Sequence, residues 1–271
     1  MTEVKSLPKS LVGIVEAMEF EQPHTVSLPM LTQIAINSGA TSDETGTAKL
    51  AYRLQELGWL GSLRTKNAWE FIPGSRAGAY SSGDRFIEFR AYLLVHPEWP
   101  GALAMESAAS MLGLAQHIPD REVVSLPSGM ALPKAMYDWR RVTTPIWTQG
   151  HEMRDGMPCW NLEGLLVGIA MRPSGYHDLA GLAQWLPDGG AQLDKAKLRA
   201  CLSSEKESVW QRAAYLIGVA GASDIAAELM AERPPHHMIW FSATRTNGVY
   251  DPISKVSDAD LAPYLEGGTG A

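Results

Sequence analysis

The chain has 271 residues, enough for one large domain or two of medium size. Apolar residues make up 45% and charged residues 20%, a globular composition that excludes a disordered or collagen-like chain. The formal net charge of −7 excludes a protein that coats nucleic acid or an anionic membrane by bulk attraction, yet it leaves room for one locally positive face.

From the N-terminus, residues 10–20 place Leu11, Ile14, Val15 and Met18 at helical spacing, with Ser10 as N-cap. Residues 28–38 repeat the pattern through Leu28, Leu31, Ile34 and Ala35; Pro29 sits in the tolerated first turn and Gly39 follows as a terminating glycine. A polar stretch, 41–47, leads into a third helix reaching about Leu57, with Leu50, Ala51, Leu54 and Leu57 as its inner stripe. Residues 59–63 and 68–72 then read as a hairpin about the polar tip Arg64-Thr65-Lys66-Asn67. Three helices and a hairpin in this order predict a winged helix-turn-helix. Residues 73–83, with three glycines and three serines, read as a linker. Two domains are therefore expected, 1–80 and 84–271.

Beyond the linker, 84–95 and 104–115 read as helices, 121–126 and 138–146 as strands. A run of helices follows over 161–171, 178–186, 193–202, 205–218 and 223–232, with a last strand at 237–242 and an irregular tail at 267–271. The fold class is α+β: the winged helix-turn-helix followed by a larger, mostly helical domain.

In a helix-turn-helix the second helix of the motif enters the major groove. With the leucines inward, Thr45, Ala48, Lys49 and Tyr52 face outward, flanked by Thr47 and Arg53. Threonine hydroxyls, Lys and Arg can pair with phosphates or base edges, and Tyr52 can reach the backbone. At the tip, Arg64, Lys66 and Asn67 suit neighbouring phosphates. Residues 1–75 carry two more acidic than basic groups. However, four of the six basic ones lie in the third helix or hairpin, while Glu3, Glu16, Glu19 and Glu21 precede them. This segregation points to double-stranded DNA as the partner, with a protein-contact role as the alternative.

No GxSxG, Walker, HExxH or GxGxxG pattern is present, so an enzyme is not expected. Adjacent His236 and His237 would point to opposite faces of a strand, and no metal or cofactor site is read. His177-Asp178 is either an acid–base pair or, more simply, a helix N-cap with a histidine before it. Cys159 and Cys201 stand outside any CxxC or Cys/His cluster and read as buried, reduced thiols. The apolar stretches 165–171 and 213–222 are far shorter than the roughly 20 residues of a membrane span. Glu3, Lys5 and Lys9 leave no room for a leader before Leu11. A cytoplasmic protein with no membrane partner is expected.

Three stretches resemble the AbiEi family, the antitoxins of abortive-infection type IV toxin–antitoxin systems. They are LAYRLQELG at 50–58, RAYLLVHPEWPGALAMESAASMLGL at 90–114, and CWNLEGLLVGIAMRPSGYHDLAGLAQWL at 159–186. The resemblance implies autorepression by binding inverted repeats in the protein's own promoter through the winged helix. It also implies neutralisation of a nucleotidyltransferase-like toxin by the C-terminal domain, without an obligatory stable complex. Arg121, Lys134, Arg140 and Arg141 are the candidate toxin-directed cations, with solvated surface charge as the plain alternative. A ligand-responsive winged-helix repressor without antitoxin activity is the rival reading; it requires a pocket.

Overall fold

The computed structural model describes residues 8, 11–76, 82–145 and 149–266. Ser10, the middle of the expected linker, Ile146 and the expected tail lie outside them. The chain divides into two units, the first comprising Met1–Trp99 with Pro133–Tyr137, the second Pro100–Leu132 with Asp138–Ala271.

In the first unit, the elements run α1 (Val12–Glu21), β1 (Thr25–Ser27), α2 (Leu28–Asn37), α3 (Glu44–Glu56), β2 (Leu60–Ser62), β3 (Ala68–Phe71) and α4 (Ile87–Val95). The α1 stripe of Leu11, Ile14, Val15 and Met18 is buried, as its spacing predicts. Ser27 caps α2 by accepting the Met30 N–H, and Asp43 caps α3 by accepting the Gly46 N–H at 2.7 Å. Both helices end on a left-handed glycine. At Gly39 (φ 69°) the Ala40 N–H returns to the Ala35 carbonyl at 2.9 Å, and at Gly58 (φ 72°) the Trp59 N–H returns to that of Leu54 at 2.8 Å.

The three strands form one antiparallel sheet in the order β1-β3-β2. Strand β1 has no counterpart among the expected elements because three residues, Thr25-Val26-Ser27, carry too little alternation to register. Helices α1–α3 enclose a core of Leu11, Ile14, Met18, Leu31, Ala51 and Leu54, closed by Trp59, just before β2, and by Phe71 of β3.

The expected division at 80/84 falls earlier than the division in the structure, because α4 packs on β1 and β3 and belongs with them. Phe89 and Ala91 of α4 are fully buried, and Phe89 meets Trp99 edge-on at 5.6 Å.

The second unit is built on a five-stranded mixed sheet, in the order β6-β5-β4-β8-β7. Its strands are β4 (Ala102–Leu103), β5 (Val123–Leu126), β6 (Arg140–Thr143), β7 (His151–Arg154) and β8 (Met157–Trp160). The β7–β8 hairpin turns on Asp155 (φ 49°) and Gly156 (φ 73°), the pair of positive φ angles that a type I′ turn requires.

Helices α5 (Met105–Met111) and α6 (Leu162–Met171) lie on this sheet. Six further elements complete the fold: α7 (Leu179–Gly190), α8 (Lys195–Leu202), α9 (Glu207–Val219), α10 (Ser223–Glu232), a small sheet and α11 (Ala262–Glu266). Residues Glu163–Ala170 of α6 are all buried, so this helix is central and its apolar run needs no polar face. Asn161 caps it, accepting the Gly164 N–H at 2.9 Å. The small sheet has β11 (Val256–Asp258) between β10 (Val249–Asp251) and β9 (Ile239–Trp240). Strand β9 is shorter than the expected 237–242, and His236-His237 precede it.

Candidate functional site

Helix α3 buries Thr47, Ala51 and Leu54, spaced i, i+4, i+7, and exposes Thr45, Ala48, Lys49, Tyr52 and Arg53. The buried stripe is rotated from the expected one, so that Leu50 and Leu57 stand half-buried at its margins. This corrects the reading of Thr47 as a DNA contact: it is fully buried and its hydroxyl donates to the Asp43 carbonyl at 2.9 Å. Tyr52, at 64% exposed, is the largest side chain on the open face. Arg53 lies in the last turn, where a cation also meets the negative end of the helix dipole.

The tip between β2 and β3 is held from below rather than free. Glu88 of α4 accepts the Arg64 N–H at 2.6 Å, and its second oxygen accepts the Thr65 N–H and hydroxyl. The Arg64 guanidinium donates to the Ala135 carbonyl at 3.3 Å and lies 4.6 Å from the centre of the Tyr137 ring. It is therefore committed within its own unit. Lys66 and Asn67 are exposed, Asn67 at φ 60° with its carbonyl accepting the Leu28 N–H. Gln55 of α3 donates to Ser62 Oγ at 2.7 Å, tying the helix to the hairpin.

The four cations expected to be directed at a toxin are brought together only in pairs: Arg121 and Arg140 line one cavity, and Arg140 and Arg141 another. Lys134 opens a short 3-10 turn, Lys134–Met136, which belongs to the first unit. Arg140 is not a solvated surface charge: it pairs with Glu106, which is 4% exposed, at 2.5 Å, donates to the Gly175 carbonyl and lies 3.0 Å from His177 Nε2. Glu106 also accepts the His177 N–H, so the carboxylate bridges both partners. Arg121 is exposed on a cavity of about 690 Å³ shared with Glu106, His117, Asp120 and His177. Arg141 is exposed and donates to the Met130 carbonyl.

Sequence reasoning missed Glu106, although a lone carboxylate inside the apolar run ALAMESAASML was a readable signal. The chain enters its helix through Met105, fully buried at φ 49°, a conformation that costs a non-glycine residue on the order of 1 kcal/mol. Asp178 acts as the N-cap of α7, accepting the Gly181 N–H at 2.8 Å, so its carboxylate is engaged away from acid–base work. His236 donates its N–H to Glu207 and sets its ring against the same carboxylate. Among the described residues no group of three His, Cys, Asp or Glu could hold a metal ion. Both cysteines are buried and unpaired, and burial pushes each thiol up to about 12.

Residues 101–219 match the family model of the AbiEi antitoxin C-terminal domain. Over 98% of its length the chain is similar to 96% of the chain in the crystal structure of RV2827C protein from Mycobacterium tuberculosis, at 27% identity and a TM-score of 0.78. No curated protein matches it.

Proposed function

We propose, from the premise that this chain carries the C-terminal domain of the AbiEi antitoxin family, that it is the antitoxin of a type IV toxin–antitoxin pair. On this reading it counteracts a nucleotidyltransferase-like toxin and represses its own operon by binding inverted repeats in the promoter. The repressing half rests on one observation: α3 buries one stripe in the core and presents Thr45, Lys49, Tyr52 and Arg53 on an open face. The order α1-β1-α2-α3-β2-β3 with its antiparallel sheet supports reading this unit as a winged helix-turn-helix, with α3 in the major groove. Lys66 and Asn67 then meet phosphates beside it.

No helix among the described residues is long and apolar enough to cross a membrane. Repression of a promoter places the site of action in the cytoplasm, and that location belongs to the same proposal. The test is co-expression of the full chain with the product of the adjacent reading frame, scoring growth and a promoter reporter separately. Lys49→Ala should release the reporter, by a loss of about 1–3 kcal/mol in operator binding, while growth rescue persists. Full repression by Lys49→Ala and Tyr52→Ala alike would remove α3 from the interface.

A further inference from the structure

A second cavity of about 630 Å³ lies wholly within the second unit, between β6, the C-terminal end of α6, α9 and the segment that follows β9. Arg140, Arg141, Arg172 and Arg212 line it, together with His177. No carboxylate is among the described residues that line it. In a chain of net charge −7 this is a local reversal of sign. Arg140 is neutralised by Glu106, but Arg141, Arg172 and Arg212 form no ion pair among the described residues.

The backbone bonds of two of these arginines aim their guanidinium groups without consuming them. Arg172 Nε donates to the Thr143 carbonyl at 3.0 Å and Arg212 Nε to the Trp240 carbonyl at 3.1 Å. Both Nη groups of each remain uncommitted among the described residues. Arg212 is half-buried on α9, and burial alone pushes its guanidinium below the usual arginine range. A desolvated cation without a counter-ion is costly, and an incoming anion relieves that cost. Ser174 adds a hydroxyl and Phe241 an apolar wall, while the Ser242 hydroxyl is already engaged by Asp260.

We propose that this groove binds a small ligand bearing two or more phosphate groups, of nucleotide size. Guanidinium forks match phosphate oxygens in pairs, and a cleft lined by one sign of charge concentrates such an anion. The volume is that of a small-molecule site. A polynucleotide would instead have to run on over the rest of an acidic protein. The inference concerns the second unit and stands apart from the antitoxin reading.

The test is calorimetric titration of the full chain with inorganic pyrophosphate, with ATP and with duplex DNA. Pyrophosphate and ATP should bind in competition, with an affinity that falls as salt rises. Arg172→Ala, at an exposed position, and Arg212→Gln should each weaken pyrophosphate by about tenfold, whereas Lys49→Ala should leave it unchanged. Arg172→Ala keeps the test decisive if Arg212→Gln fails to fold. Absence of binding at millimolar pyrophosphate and ATP, or wild-type affinity in Arg172→Ala, would overturn the proposal. So would duplex DNA binding that Arg172→Ala weakens and that pyrophosphate does not displace, since DNA held at α3 is indifferent to Arg172.

Discussion

Glu88 grips Thr65 twice through a single carboxylate oxygen, taking the backbone N–H at 3.1 Å and the hydroxyl at 2.9 Å, while its other oxygen takes the Arg64 N–H. Thr65 is buried, so these donors have no ready substitute in water. Glu88→Ala should destabilise the first unit by about 2 kcal/mol, since several charge-assisted bonds are lost at a half-buried site. Glu88→Gln should recover part of that, because its amide keeps one acceptor oxygen. Urea denaturation checks both; an unchanged midpoint in Glu88→Ala would show the grip to be energetically idle.

The same geometry separates two cations that look equivalent in sequence. Lys66 is exposed, whereas the Arg64 guanidinium is engaged with Ala135 and Tyr137. If the tip meets phosphates, Lys66→Ala should flatten the dependence of operator affinity on salt by roughly one unit of slope. Arg64→Ala should leave that slope as it is and lower stability instead. Affinities measured across a salt series discriminate the two, and a reversed pattern would mean that Arg64 leaves Tyr137 to bind DNA.

Stability should fall in alkali for a reason internal to the core. Burial raises the thiols of Cys159 and Cys201 from 9.0 to about 12, and burial also raises the phenols of Tyr176 and Tyr215. Above pH 9 the unfolded chain therefore releases protons that the folded chain retains, so the unfolded state gains. The stabilisation is complete below pH 9 and is lost between pH 9 and about 12, at about 1.4 kcal/mol per pH unit for each thiol. Denaturation midpoints should fall through that window. A flat profile would show that the thiols ionise without unfolding.

Most long helices are legible in the sequence because they repeat an apolar face at 3.6-residue spacing, and some carry a cap as well. Asn161, Asp178 and Asp194 each accept backbone N–H groups at the start of theirs, whereas α1, α9 and α10 have no side-chain cap. Strands β1 and β4, of three and two residues, hold no period to read. The β7–β8 hairpin carries a local signal in Asp155-Gly156, but its strands are too short and too mixed in polarity to frame that turn. At the candidate interface Lys49, Tyr52 and Arg53 lie on the open face as their spacing predicts. Thr47 does not, because a threonine can sit in a core stripe once its hydroxyl bonds the preceding turn. The Glu88 grip and the arginine groove are beyond the reach of sequence, since both join residues far apart along the chain and no local pattern encodes that closure.

The last expectation concerns where the chain can be cut. A fragment beginning at residue 84 retains α4 but loses β1 and β3, the strands on which α4 packs. Phe89 and Ala91, both fully buried, would then face water, and burying a phenylalanine alone contributes about 1.5–3 kcal/mol. A fragment beginning at Pro100 removes α4 with the strands it covers and leaves α6 enclosed by its own unit. The 84–271 fragment should therefore bind more of a dye that reports exposed apolar surface, and aggregate more readily, than the 100–271 fragment. If the proposed division of labour holds, 100–271 should also rescue growth from the toxin without repressing the promoter, because it lacks α3. Equal dye binding by the two fragments would assign α4 to the second unit. Rescue by residues 1–99 alone, with none from a soluble and folded 100–271, would reverse the assignment of roles.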